Sequence, residues 1–111
     1  MYCLGIESTA HTFGAGIVSF DGKILANIKD TFTTEKGGMI PSDVAKHHER
    51  VKDTVVAEAL KKAGLALADL SLISYSHGPG LSPSLLVGLK KAKALAKEAK
   101  LPIIGDRKSV V

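Results

Sequence analysis

The segment Leu4-Gly5-Ile6-Glu7-Ser8-Thr9-Ala10-His11-Thr12-Phe13-Gly14-Ala15-Gly16-Ile17-Val18 constrains the fold more than any other. An apolar strand runs into a bend of small hydroxyl residues. A second apolar strand, opened by two glycines, follows almost at once. One carboxylate, Glu7, stands where the first strand ends. Short polar side chains, free backbone N–H groups and glycines that let the main chain come close are what an anion-gripping hairpin needs. An ordinary hairpin with a polar bend uses the same residue types, so this stretch alone leaves both readings open.

The stretch Ser74-Tyr75-Ser76-His77-Gly78-Pro79-Gly80-Leu81-Ser82-Pro83-Ser84 favours the anion site. It follows the apolar run at 70–73 and precedes a strongly helical segment, so a strand, a Gly-Pro-Gly turn and a helix N-terminus stand in series. Helix N-termini carry unpaired N–H groups and a partial positive charge. Pro83 suits a first helical turn, and Ser82 is the expected cap. Ligands of open α/β sheets gather at the carboxyl ends of strands, and both turns lie at such ends. The phosphate- or nucleotide-facing candidates are therefore Glu7, Ser8, Thr9, His11, His77, Gly78 and Gly80.

The remaining elements follow from periodicity. Strands are predicted at 2–6, 13–20 and 23–31, the last two joined by the Asp21-Gly22 hairpin signal. In the third strand Ile24, Ala26 and Ile28 are placed on one face. Residues 33–38 read as a polar, mobile loop ending in Gly-Gly. A helix is predicted over 41–63, with Val44, Val51, Val55 and Ala59 at three- and four-residue steps and Gly64 as its stop. A strand at 70–76, a helix at 83–100 and a short strand at 103–104 complete the order βββαβαβ. That is the order of a ribonuclease H-like lobe, the unit doubled in actin, the heat-shock ATPases and sugar kinases. It predicts an α/β fold with a mixed five-stranded sheet, because hairpins pair antiparallel and helical crossovers parallel.

Composition agrees with one modest core: 111 residues, 45% of them hydrophobic. No apolar run is long enough to cross a bilayer, and no signal-peptide pattern opens the chain. The single cysteine, Cys3, has no internal disulfide partner and is read as inert, in a cytoplasmic protein. The net charge of +4 mildly favours RNA. Lys90, Lys93, Lys97 and Lys100 share a helical face and are read as solvated. Two tyrosines and three phenylalanines are too few for a base-stacking platform. Of the four histidines, His47 and His48 are consecutive, so their side chains diverge by about a hundred degrees on a helix. Chelation on a helix wants i,i+4 spacing, so no metal site is predicted. His48 falls on the apolar stripe and is read as a core-edge histidine with a polar partner.

The chain resembles the threonylcarbamoyl-adenosine synthases, the TsaD type of bacteria and its archaeal and eukaryotic counterpart in the KEOPS complex, formerly called O-sialoglycoprotein endopeptidases or glycoproteases. The resemblance lies in Gly5-Ile6-Glu7-Ser8-Thr9-Ala10-His11-Thr12, Thr33-Thr34-Glu35-Lys36-Gly37-Gly38, Ala45-Lys46-His47-His48-Glu49-Arg50 and Ser76-His77-Gly78-Pro79-Gly80-Leu81. Ala10-His11-Thr12 and the histidine pair look like the archaeal and eukaryotic branch. The resemblance implies an actin-like ATPase architecture and transfer of a threonylcarbamoyl group from an ATP-derived adenylate to a tRNA adenosine beside the anticodon. It also implies a divalent metal, iron or zinc, and a partner on the helical face, the small dimeric KEOPS subunit. The protease of the older name finds no support, since neither His-Glu-x-x-His nor a nucleophile elbow is present.

The sequence also departs from the family. A His-x-x-x-His metal site should follow Pro102-Ile103-Ile104-Gly105, but Asp106-Arg107-Lys108-Ser109-Val110-Val111 stands there, and no histidine follows His77. Residues 1–105 are thus read as an N-terminal lobe lacking its C-terminal lobe, and 106–111 as an atypical tail whose native origin stays open. Alone, the lobe is expected to be inactive and to bind no cofactor. Two alternatives stay open: a non-catalytic dimerisation platform, like shortened paralogues of the enzyme, and an actin-like ATPase or kinase lobe unrelated to tRNA. For a partner or a homodimer, Val56, Leu60, Leu86 and Ala94 are the helical surface candidates.

Overall fold

The computed structural model describes residues 1–8, 11–33, 41–78 and 82–107. Its elements are β1 (Tyr2–Glu7), β2 (Thr12–Ser19), β3 (Ile24–Thr31), α1 (Pro41–Ala63), β4 (Leu72–Gly78), α2 (Ser82–Ala99) and β5 (Ile103–Arg107). A single 3-10 turn, Leu67–Asp69, precedes β4. The sheet order is β3-β2-β1-β4-β5. β1 pairs antiparallel with β2, and β2 with β3, while β1, β4 and β5 run parallel. The expected order and the mixed five-stranded sheet are both present. β5 runs past residue 105: Asp106 pairs with Ser76 and Arg107 with Gly78.

Period-2 alternation turns Leu4 and Ile6 of β1, Ala15 and Ile17 of β2 and Ile73 of β4 to one face, where all are buried. Both helices cover this face. α1 lies over β2 and β3, α2 lies over β4, and the helices pack against each other. Val55, Ala59, Val87, Ala92 and Leu95 complete a single core with the strands. The close fit shows at Gly88, where a Cβ would collide with the Ser8 hydroxyl and lie 3.1 Å from Ser8 Cβ.

The helix-to-helix seam also carries charge. Lys91 Nζ donates to Asp53 Oδ1 at 2.7 Å, and Lys52 reaches Glu49 at 2.9 Å. The bond from Lys91 holds the Asp53 carboxyl below the usual carboxylate range. Both helices end alike. Gly64 (φ 71°) follows α1 and Lys100 (φ 57°) follows α2, and the next amides bond back to Leu60 and Ala96. Lys100 thus lies just beyond the helix expected to include it.

Two sequence expectations are corrected here. Ile24 does not share a face with Ala26 and Ile28. A bulge between Ile17 and Val18 in the pairing sets Val18 opposite Ile24, which leaves Ile24 73% exposed while Leu25 packs on the core. Val56 is not outward surface. It is 3% exposed, and Leu60 also packs against the core, because the extra width of the α1 apolar arc is taken up within the chain, where α1 lies against the sheet and α2.

Candidate functional site

The chain direction of each strand decides what meets at one edge of the sheet. β1, β3 and β4 end there and β2 begins there, so Glu7, Ser8, His11 and Gly78 share that edge. α1 follows β3 and α2 follows β4, so both helix N-termini open onto the same edge. Helix starts carry backbone N–H groups without intrahelical partners, a kind of arrangement that can hold an anion.

The candidates differ in how they sit. Glu7 is half-buried and lies opposite Gly14. Ser8 is 1% exposed, its hydroxyl packed beneath Gly88 of α2. His11 is exposed, and its carbonyl accepts from the Phe32 amide at 2.7 Å. His77 and Gly78 are the last residues of β4, where the backbone alone is described. Thr9, Gly80 and most of the loop at 33–38 lie outside the described residues. Ser84, in the first turn of α2, is fully buried with no hydrogen-bond partner for its hydroxyl.

Behind the edge lies a polar chain that the sequence reading missed. His47 Nε2 lies 2.8 Å from Asp30 Oδ1, and His47 Nδ1 lies 2.8 Å from His48 Nδ1. His48 is wholly buried against Phe13, with ring centroids 5.6 Å apart. With both rings neutral, His47 donates from Nε2 to the carboxylate, its Nδ1 accepts, and His48 donates from Nδ1. The divergence of consecutive helical side chains thus does not keep the rings apart. Nδ1 sits close to the backbone, and side-chain rotation brings the two nitrogens together. His48 is in the core rather than at its edge, and its neighbour His47 is a hydrogen-bond partner. One signal for Asp30 was available: it shares its register side of β3 with Ala26 and Ile28, which turns it toward the helical layer at the exposed end of the strand.

Among the described residues, no group of three or more His, Cys, Asp or Glu side chains could hold a metal ion.

Element order and sheet order together define an α/β lobe of the ribonuclease H-like class. Solved structures agree on the fold. YeaZ from Pseudomonas aeruginosa superposes with a TM-score of 0.76 at 16% identity, over 96% of this chain and 42% of that one. RuvC of T. thermophilus, in complex with a Holliday junction substrate, gives 0.59 at 15% identity, over 97% and 65%. In sequence, the profile of TsaD, tRNA N6-adenosine threonylcarbamoyltransferase, matches residues 23–105. Proteins of that description are 49% identical over 105 residues in Thermococcus gammatolerans and 48% identical over 107 in Sulfurisphaera tokodaii. The matches cover 95% and 94% of this chain but 32% of each relative. The chain belongs to the TsaD family and spans about a third of the length of these relatives.

Proposed function

We propose that this chain is the N-terminal lobe of an enzyme that moves a threonylcarbamoyl group onto the N6 amine of a tRNA adenosine, and that it is inactive alone. The carrying observation is the family match over residues 23–105, and in this reading the strand edge forms one wall of the cleft. In the reaction, the adenine amine attacks the carbamoyl carbonyl of the adenylate. A C–N bond forms, the C–O bond to the phosphate breaks, AMP leaves, and the amine gives up a proton.

This lobe contributes binding. The amides at the starts of α1 and α2, together with Gly78 at the end of β4, hold the phosphate. Glu7 and His11 orient substrate or the opposing lobe. Ser8 contributes through its backbone and its packing under α2, since its hydroxyl is covered. The Asp30–His47–His48 chain fixes the start of α1 against β3. A protein partner on the helical face has Leu86 and Ala94 available, both exposed on α2 and flanked by Lys90, Lys93 and Lys97.

The test uses two proteins: the 111-residue chain, and that chain joined at Gly105 to the remaining two-thirds of the Thermococcus gammatolerans relative. Given tRNA and the adenylate, the short chain should leave adenosine unmodified by mass spectrometry of digested tRNA, and the joined protein should modify it. A folded joined protein that stays inactive where the intact relative works would overturn the proposal.

A further inference from the structure

Among the described residues, the Ser84 hydroxyl is the only buried side-chain nitrogen or oxygen without a hydrogen-bond partner. Ser84 is 0% exposed and lies in the first turn of α2, directly after Pro83. A buried polar atom left unpaired is costly and uncommon, so each one asks for a reason. Alanine would hold the same place in the helix without that cost.

The geometry of α2 gives the direction of this hydroxyl. Ser84 and Gly88 are four residues apart and share a face of the helix. At Gly88 that face meets the end of β1: a Cβ there would lie 3.1 Å from Ser8 Cβ and 3.6 Å from Ile6 Cγ2. Ser84 stands one turn nearer the helix start, about 5.4 Å along the axis. α2 follows β4 and runs back over it, so that step leads past Ser8 to the edge where β1 and β4 end. The hydroxyl is thus aimed between the first turn of α2 and those strand ends. The same turn carries amides without intrahelical acceptors and the positive end of the helix dipole. It contains no acidic residue, whereas the first turn of α1 holds Asp43. Glu7, the acid that ends β1, alternates to the other face of the sheet, where it lines a depression with Asn27, Ser74 and Ser76.

We propose that the first turn of α2 binds a phosphate monoester group and that the Ser84 hydroxyl donates to one of its oxygens. Pro83 has no N–H, so Ser84 supplies both an amide and a hydroxyl to a turn that has lost one donor. A phosphate has oxygens enough to accept from both at once. Ser84 is buried, so only a small terminal group reaches it, and whatever the phosphate is attached to stays outside. The inference rests on the reading of this lobe as the phosphate-holding part of a transferase, and it adds a side-chain donor to the start of α2.

The test follows thermal unfolding of the 111-residue chain and of Ser84→Ala, with inorganic phosphate and with AMP. Without either, the variant should melt at the same temperature or a few degrees higher, because the unpaired hydroxyl is gone. Phosphate should then raise the melting temperature of the wild type by several degrees more than that of the variant. Phosphate also stabilises folded proteins by exclusion from their surface, so only that difference is read. Equal increments in the two proteins would overturn the proposal. So would a variant that melts well below wild type without phosphate, since the hydroxyl would then serve the fold. AMP acting at lower concentration than phosphate would make a nucleotide the source of the group, and equal action would make the phosphate group sufficient; either upholds the site. An effect of phosphate with none of AMP would overturn the monoester. Amide chemical shifts give the place: phosphate should move Ser84 and Leu85 more than Ser42 and Asp43, and the reverse order would overturn the assignment to α2. None of these readouts needs group transfer, so failure here leaves the proposed reaction to its own test in the joined protein.

Discussion

The two faces of the sheet are built from the same strands with the same alternation, yet they are different surfaces. Toward the helices, Leu4, Ile6, Phe13, Ala15 and Ile17 are buried in one core. On the other side their neighbours Cys3, Gly5, Gly14, Gly16 and Val18 are glycine or residues at least partly exposed or backed by none of the described elements. The contrast shows that period-2 patterning marks the core only where the chain itself supplies a second layer.

The largest expected effect tests the helical side. Val56→Asp places a carboxylate in the core, and burying an unpaired charge costs several kcal/mol, a large part of the stability of a domain this size. Circular dichroism should show this variant unfolded at 25 °C, while Ile24→Asp on the open face stays folded. A folded Val56→Asp would return Val56 to the outer surface. Next comes Gly88→Ala. Helix propensity alone predicts a gain of about 1 kcal/mol. The collision with Ser8 instead predicts a net loss of roughly 1–3 kcal/mol in urea denaturation, partly recovered by adding Ser8→Ala. A net gain would mean that the α2–β1 contact yields easily.

The seam between the helices should respond more weakly. Asp53 is largely exposed, so Asp53→Asn should cost about 0.2–1 kcal/mol. Its folded carboxyl pKa is lowered from 3.8, chiefly by the bond from Lys91. The contribution is therefore complete above the unfolded value and disappears as pH falls through the folded one. Wild type and variant should differ in stability near pH 7 and converge at the acid end; a constant difference would break the assignment. The smallest effect is Gly16→Ala, which should stabilise the isolated chain by roughly 0.5 kcal/mol. A loss there would mean that the lobe itself needs the glycine.

Much of this architecture was legible in the residues. Helix α1 occupies the predicted span, because valine spacing, the proline start and the Gly64 stop are local signals. The hairpin turn also followed from Asp21-Gly22, with Gly22 at φ 97°. Family membership, too, was readable, since it rests on short motifs in a fixed order, and the relatives lie in the archaeal branch to which those motifs pointed. The bulge that turns Ile24 outward was not legible, because it arises from pairing with β2. Nor was the Asp30–His47–His48 chain, whose acid and first histidine stand 17 residues apart.

By itself, then, the sequence determined the elements, their order and the family, because periodicity, turn residues and motifs act over a few positions. The tertiary structure alone decided that Val56 is core, that the Ser8 hydroxyl is covered by α2 while Glu7 stays half-buried at the end of β1, and that one face of the sheet has two helices and the other none of the described elements. Each of those depends on which segment packs above a residue. Burial and close approach are properties of contacts between distant parts of the chain, and no local pattern encodes them.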